Sequence, residues 1–239
     1  MTLNPKLDPS CVLCLPFEEA GGPVAYDQSL YGNNGTIYGA TRTLGKIRKA
    51  LYFDGVDDYI DCGSRASLHI RDAITIVAWA KIAVLDNKYR PIVDVAPHYP
   101  LKLTDDNKIR FQVYTINGIN AVFYSNPQVG VWYSLALTYD KNDAVNGLIV
   151  YVNGARVGNN NSFSGQLADI TSSWKISSPS SPPNYPFNGI IDEVRIYNRA
   201  LSAKEIYEHY IYGIQSLRRP RLPKFRKEIR RKLWPEISV

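Results

Sequence analysis

Short runs of β-branched and aromatic residues, each followed by a turn signal, recur along almost the whole chain. Representative runs are CVLCLPF (11–17), AITIVAWAKI (73–82), VWYSLALTYD (131–140) and GIIDEVRIYN (189–198). Asn117-Gly118 and Asn153-Gly154 predict hairpins, because a type I′ turn requires positive φ at both central residues. Many short strands separated by polar turns indicate an all-β sandwich or barrel.

A single helix is predicted near the C-terminus. Ser202-x-x-Glu205 matches a capping box, and Ile206 and Tyr210 follow it on one stripe, so we expect a helix over about 203–212 that ends at Gly213. The Pro- and Ser-rich segment 177–187 is predicted to be a loop. The length of 239 residues suits one sandwich with a full core.

The positive charge is concentrated at the C-terminus. Residues 217–239 contain nine Lys and Arg but two acids, whereas the rest of the chain is close to neutral. We therefore divide the chain into an N-terminal extension (1–10), a sandwich (11–213) and a basic arm (214–239).

The basic arm has the pattern of a partner-docking segment. An apolar stripe at i, i+4 spacing runs along a predicted helix from Lys224 to Trp234. The residues expected to dock are Arg218, Arg219, Arg221, Phe225, Ile229, Leu233 and Trp234. Docking on other protein subunits of a large assembly is favoured. Binding to a nucleic acid backbone or an anionic membrane, and a solvated disordered tail, are the alternatives.

The cysteines do not form a disulfide framework, because there are three of them. Cys11-x-x-Cys14 has no second pair, and positions i and i+3 of a strand face opposite sides, so a zinc site is not expected. A bridge from Cys62 to Cys11 or Cys14 is left open. The sequence also predicts no signal peptide and no transmembrane segment.

Five strings, in order, resemble one family. They are DQSLYGNNG (27–35), LYFDGVDDYIDCG (51–63), VWYSLALTYD (131–140), GLIVYVNG (147–154) and FNGIIDEVRIYNRAL (187–201). Together they are similar to laminin-G-like jelly-roll domains of the concanavalin-A-like lectin/glucanase superfamily, over residues 11–212. The resemblance implies an antiparallel β-sandwich whose first and last strands are neighbours.

A structural calcium site is predicted from a loop of oxygen donors. Asp27, Ser29, Gly32 and Asn34 provide a carboxylate and carbonyls of the kind that Ca²⁺ prefers. The resemblance adds a second carboxylate, Asp192 of the last string. The alternative is an Asx-type turn that caps a strand without metal.

No catalytic constellation is found in the sequence, and the chain is predicted not to be an enzyme. Asp192 and Glu193 are adjacent and should face opposite sides of a strand, so they do not form a glycosidase pair. Sugar binding remains open, because predicted loops contain candidate glycan-binding residues. These are Tyr89, His98, Tyr99 and Tyr185.

Two functions follow from these features. A lectin-like head, a basic anchoring arm and the lack of an export signal favour a decoration or surface protein of a virion capsid or tail. The alternative is a Ca²⁺-dependent carbohydrate-binding module or lectin of a cellular organism, placed outside the cell or at its surface. A cryptic glycosidase is a third and weaker hypothesis.

Overall fold

A computed structural model of the chain describes residues 7–96, 98, 100–178 and 185–218. They form 16 strands and one α-helix, α1 (Ala203–Arg218). The strands are β1 (Cys11–Leu15), β2 (Val24–Ala25), β3 (Gly35–Tyr38), β4 (Thr41–Leu44), β5 (Lys49–Asp54), β6 (Tyr59–Asp61), β7 (Ala73–Ile82), β8 (Arg90–Val95), β9 (Leu101–Leu103), β10 (Ile109–Thr115), β11 (Gly118–Tyr124), β12 (Trp132–Asp140), β13 (Leu148–Val152), β14 (Ala155–Asn160), β15 (Trp174–Ile176) and β16 (Asn188–Tyr197). A short 3-10 helix spans Ala66–Leu68.

The strands form two antiparallel sheets that pack face to face. Sheet A has the order β14-β13-β12-β7-β16-β5-β4, and β1 also pairs with β16. Sheet B has the order β11-β10-β9-β8-β15-β6-β3-β2. The predicted β-sandwich is therefore confirmed, and the first and last strands are neighbours as the resemblance implied.

The core lies between the sheets and is built by alternation along each strand. Ile76, Leu135 and Ile191 point inward from sheet A, and Val93 and Phe111 meet them from sheet B. Trp174 fills the same interior, and its indole Nε1 donates a hydrogen bond of 3.2 Å to the Leu68 carbonyl. Successive residues of a strand point to opposite faces, so the polar residues between these positions lie on the outside.

Both predicted hairpins are present, but their turns differ. Asn153 and Gly154 have φ of 52° and 76°, as the type I′ prediction requires, and they join β13 to β14. In the other hairpin Thr115 pairs with Gly118, so the central residues are Ile116 and Asn117 rather than Asn117 and Gly118.

The predicted opposite facing of Cys11 and Cys14 was wrong, and the bridge to Cys62 that the sequence left open is absent. The strand register shifts between Cys11 and Leu13, and this β-bulge turns Cys11 and Cys14 to the same outer face of sheet A. Cys62 lies in the interior between the sheets, so β1 separates its thiol from the other two. All three thiols are free and buried.

The capping box is confirmed, but the end of the helix is not. Ser202 N donates to the Glu205 carboxylate over 2.8 Å, and Glu205 N donates to the Ser202 hydroxyl over 3.3 Å. α1 continues through Gly213 to Arg218, beyond the predicted boundary of the arm. Gly213 lies against the Trp79 indole, where a Cβ would come within 2.5 Å of the ring, so this glycine allows packing and does not end the helix. The arm beyond Arg218 lies outside the described residues.

The helix N-terminus gives a prediction about acid stability. A hydrogen bond from Arg199 lowers the pKa of Glu205 to about 2. Glu205 therefore stabilises the fold fully above the pKa of the unfolded carboxyl, 4.5, and the contribution disappears as the pH falls toward 2. After solvent screening we expect wild type to lose about 1–2 kcal/mol more than Glu205→Gln between pH 7 and pH 2 in urea unfolding. Glu208→Gln, on the same helix, is the control. It should lose as much free energy of unfolding between pH 7 and pH 2 as the wild type does.

Candidate functional site

The outer face of sheet A is covered. Ile206 of α1 packs with Cys11, Cys14, Val77 and Tyr197 of the sheet. Further along the helix, Tyr210 stacks on Trp79 with 5.9 Å between the ring centroids. A buried polar pair, Arg195 and Glu193, forms a 2.7 Å salt bridge on the same sheet. This face is therefore occupied by the chain's own helix.

The outer face of sheet B carries no α-helix in the described ranges and is rich in polar and aromatic side chains. Each of its strands alternates an inward apolar residue with an outward one, as Lys102 does between Leu101 and Leu103. We call the outward set the open face, because no described helix lies on it: Tyr38, Tyr59, Asp61, Lys175, Asp94, Lys102, Arg110, Gln112 and Tyr114. Asp94, Lys102 and Gln112 of this set are buried, whereas Tyr38 is exposed, so the half that contains Tyr38 is the accessible one.

One half of the open face holds an aromatic platform. Tyr38 of β3 and Tyr59 of β6 are register partners, and their rings stack at 4.5 Å with an interplanar angle of 13°. Lys175 Nζ lies 5.3 Å from the centre of the Tyr59 ring. Lys175 also sits in register between Asp61 and Asp94, so charges of alternating sign cross this part of the sheet.

The other half lies beside loop residues that the sequence predicted to bind glycan. Lys102 Nζ lies 4.7 Å from the centre of the Tyr89 ring. Tyr185 donates its backbone N–H to the Tyr89 carbonyl over 2.8 Å, and its ring lies 4.3 Å from Lys88 Nζ. The structure therefore brings Tyr89 and Tyr185 together beside the open face.

His98 lies at the far end of the same face. Its carbonyl accepts a hydrogen bond from the Gln112 amide nitrogen, and its ring makes an edge contact with Tyr114 at 4.7 Å. Burial lowers the pKa of His98. Tyr99, the fourth predicted glycan-binding residue, lies outside the described residues.

Sequence reasoning missed the platform and the charged rows. Tyr59 and Asp61 flank the inward Ile60, and Arg110 lies between Ile109 and Phe111. The sequence shows this alternation, but it does not show which of the two sheets the helix covers. The glycan-binding residues predicted from the sequence are therefore all loop residues.

The structure does not bring Asp27 and Asp192 together. The Asp27 carboxylate accepts hydrogen bonds from Cys14 N, Ser29 N, the Ser29 hydroxyl and Asn33 N. Cys14 N is on the edge of β1 that faces away from β16, so β1 lies between Asp27 and Asp192.

The loop around Asp27 is a hydrogen-bonded turn. The Asn34 side-chain oxygen accepts the Asp27 N–H, and Gly32 has a φ of 65° that favours glycine. This arrangement corresponds to the Asx-type alternative for Asp27, Ser29, Gly32 and Asn34.

Asp192 is a buried carboxyl with one oxygen that has no hydrogen-bond partner. It is 0% exposed, and its Oδ2 accepts the Ile47 N–H over 2.8 Å. Burial raises the pKa of Asp192 to about 8. Its Oδ1 has no hydrogen-bond partner, and neither does the buried Oε1 of Glu18. Ile47 N donates to Asp192 and Lys49 N to Glu18, so the two carboxyl groups meet the same β4–β5 turn.

A second group of acids lies at the β5–β6 turn. Oxygens of Asp54, Asp57 and Asp58 lie within 4.8 Å of one another. Asp58 accepts the Asp54 N–H over 2.8 Å, and Asp54 accepts the Val56 N–H over 2.8 Å. Two of these acids therefore have a role in shaping the turn.

Comparison with known proteins identifies the family of this fold. Residues 54–207 match the Laminin G 3 family model, described as the concanavalin A-like lectin/glucanases superfamily. The chain belongs to this superfamily. The match covers more than half of the chain and confirms the resemblance. A comparison with curated proteins finds no match.

Solved structures share the fold at low sequence identity. Domain 4 of AbnA, a GH43 extracellular arabinanase from Geobacillus stearothermophilus, in complex with arabinotriose, is 20% identical with a TM-score of 0.61, over 83% of this chain and 97% of that domain. The binding domain of Paraclostridial Mosquitocidal Protein 1 is 17% identical with a TM-score of 0.65, over 84% of this chain and 52% of that one. Trypanosoma rangeli sialidase in complex with sialic acid is 22% identical with a TM-score of 0.65, over 87% of this chain and 34% of that one.

The chain spans about a third to a half of the sialidase and toxin structures, but nearly all of the arabinanase domain. This superfamily member therefore has a lectin-like fold. No helix in the described part of the chain is long and apolar enough to cross a membrane.

Proposed function

We propose that this superfamily member is a non-catalytic carbohydrate-binding domain that takes a glycan on the open face. The observation that carries the proposal is the Tyr38–Tyr59 platform beside a row of charged side chains, on the sheet face that α1 leaves uncovered. Aromatic rings stack on the apolar faces of sugars, and charged groups beside them bind the hydroxyls. The arabinotriose complex of a similar whole domain supports the choice of an oligosaccharide.

The acids on this face argue against hydrolysis. Asp61 and Asp94 are separated by the strand that bears Lys175, and Asp94 is 1% exposed. A glycosidase requires two carboxyl groups that both reach the scissile bond from the surface. The buried Asp94 carboxyl does not meet this requirement, so we assign the open face to binding.

Replacing the platform tests the proposal. We expect Tyr38→Ala to weaken the affinity for oligosaccharides selected on a glycan array by about tenfold, because Tyr38 is the exposed ring of the pair and a stacked ring contributes about 1–1.5 kcal/mol. Tyr207→Ala is the matched control, since Tyr207 is an exposed tyrosine of α1 on the opposite side of the sandwich. Titration calorimetry measures both. Equal affinities for the two variants, or an array without any ligand, would refute the assignment.

We also propose that the domain holds a structural Ca²⁺ at Asp192 and Glu18. The partnerless buried oxygens of both side chains support this position, and the hydrogen-bonded Asp27 does not take part. The ion would stabilise the β4–β5 turn against β16.

The attachment of the head to a virion remains a proposal from the sequence alone. The net positive charge of residues 217–239 supports an anchoring function for the arm, with other protein subunits as partners. Deleting residues 219–239 should leave the melting temperature of the sandwich unchanged and abolish incorporation into a particle. Retained incorporation would exclude anchoring by the arm.

A further inference from the structure

The thiols of Cys11 and Cys14 lie side by side on the outer face of sheet A. The β-bulge in β1 makes these two cysteines the register partners of Tyr197 and Arg195, which are two positions apart on β16. The bulge therefore shortens the separation of the Cys11 and Cys14 Cα atoms to about two residues of strand, or about 6–7 Å. Disulfide-bonded cysteines have Cα separations of about 4.4–6.8 Å, so a small movement of β1 is enough to join the two thiols.

The two sulfur atoms interact directly. A hydrogen bond from Cys14 lowers the pKa of the Cys11 thiol, and the same contact together with burial raises the pKa of Cys14. The positive charge of Arg195 and a hydrogen bond with the Tyr197 side chain also lower the pKa of Cys11. The thiolate is the nucleophile in thiol–disulfide exchange, so this environment favours Cys11 as the attacking thiol and leaves Cys14 protonated beside it.

Helix α1 covers both thiols. Cys11 and Cys14 are 0% and 2% exposed, and Ile206 of the helix belongs to the same buried cluster. Tyr210 fixes the next turn of the helix to the sheet by its stack on Trp79. An element that packs on the outside of a sheet opens locally at a lower free energy than the central strands do, so the thiols become reachable when α1 opens.

Cys62 has none of these features. Its side chain lies in the interior between the sheets, on the other side of β1 from the Cys11 and Cys14 thiols. Burial raises the pKa of the Cys62 thiol. A cysteine in such surroundings is inert, and it serves as an internal reference for the other two.

We propose that Cys11 and Cys14 form a redox site, at which a low-molecular-weight disulfide oxidises both thiols to a Cys11–Cys14 disulfide when α1 opens. Cys11 gives up its proton and its sulfur attacks the small disulfide, whose S–S bond breaks, and the first small thiol leaves with that proton. Cys14 then gives up its proton and attacks the Cys11 sulfur, and the second small thiol leaves. Two protein thiols are oxidised and one small disulfide is reduced to two thiols. The site lies on the opposite side of the sandwich from the open face and does not depend on saccharide binding.

Incubation of the full chain with oxidised glutathione at about pH 8 tests the site. All three thiols are free before the reaction, and we expect one to remain when they are titrated after denaturation. The protein should lose the mass of two hydrogen atoms, alkylation should label Cys62 alone, and dithiothreitol should restore all three thiols. A bridge that includes Cys62, or a product that carries glutathione and no internal bridge, would overturn the proposal.

A helix variant tests the access route. Tyr210→Ala removes the stack on Trp79 and should speed the oxidation about tenfold, because α1 opens more often. Tyr212→Ala removes an exposed tyrosine of the same helix and should react within about twofold of the wild-type rate. Equal rates for the two variants would contradict access through α1. If the wild type and Tyr210→Ala both keep three free thiols, the redox site is refuted.

Serine variants test the order of the two steps. Cys14→Ser lacks the resolving thiol, so it should accumulate one glutathione on Cys11. Cys11→Ser lacks the attacking thiol and should react at least about tenfold more slowly. The opposite result, with fast attachment of glutathione to Cys14, would reverse the proposed order. Circular dichroism melts confirm that each variant is folded, and the thiol count of the wild type decides the proposal if a serine variant is not.

Discussion

Replacing Asp27 with alanine is expected to lower the free energy of unfolding by about 3–5 kcal/mol, with the same loss in calcium and in chelator. The Asp27 carboxylate accepts the Cys14, Ser29 and Asn33 N–H groups and the Ser29 hydroxyl at 2.6–2.9 Å. These bonds fasten the 27–33 loop to the free edge of β1. Alanine would leave several partly buried N–H donors without an acceptor, and hydrogen bonds to a charged acceptor are the strongest of their kind.

Urea unfolding at pH 7 measures the effect. Asp27→Asn keeps a side-chain oxygen and should cost less than Asp27→Ala, because one acceptor remains. Asp57→Ala removes an exposed acid from the β5–β6 turn and is the control. A variant that is as stable as wild type in chelator but no longer responds to calcium would instead identify Asp27 as a metal ligand.

The fold was predictable because its determinants are local. The run 73–82 became β7, a central strand between β12 and β16, and its two apolar faces are required by the core on one side and α1 on the other. Asn153 and Gly154 likewise have the positive φ angles that this residue pair favours, so the turn follows from the local sequence.

The errors arose where tertiary contacts override local signals. Gly213 resembles a helix terminator, but it is a glycine because the Trp79 indole leaves no room for a Cβ. Cys11 and Cys14 share a face because of a bulge that the spacing of two cysteines does not encode. Similarly, the sequence predicted that Asp27 lies near β1 and Asp192 near β16. It did not show which edge of β1 the loop that contains Asp27 would contact.

The residues of the open face were not identified from the sequence for the same reason. Tyr38 and Tyr59 are ordinary outward positions in two separate strands, Gly35–Tyr38 and Tyr59–Asp61. Their contact comes from a register that stacks the two rings, and their accessibility from a helix that covers the other sheet. Neither fact is contained in a local window of sequence.

Calcium at about one hundred times its dissociation constant is expected to raise the free energy of unfolding by about 2.7 kcal/mol, and Asp192→Asn should abolish the increase. The partnerless Oδ1 of Asp192 and Oε1 of Glu18 would be the negative ligands, and a bound divalent ion would keep both carboxyls ionised. In chelator at pH 7, Asp192→Asn should lower the free energy of unfolding by less than about 1 kcal/mol. Burial already raises the pKa of Asp192 to about 8, so the neutral amide replaces a mostly neutral acid.

Thermal and urea unfolding with and without calcium, combined with calorimetry of the chelated protein, test this site. Glu18→Gln should reduce the calcium response in part, since it removes one of the two charges. Asp57→Asn tests the competing acidic turn, where three carboxylates lie close together on the surface. If the response survives in Asp192→Asn and disappears in Asp57→Asn, the ion belongs to the β5–β6 turn. If the response is instead lost in Asp192→Asn, the ion binds where β16 meets the β4–β5 turn and offsets the cost of a fully buried carboxyl.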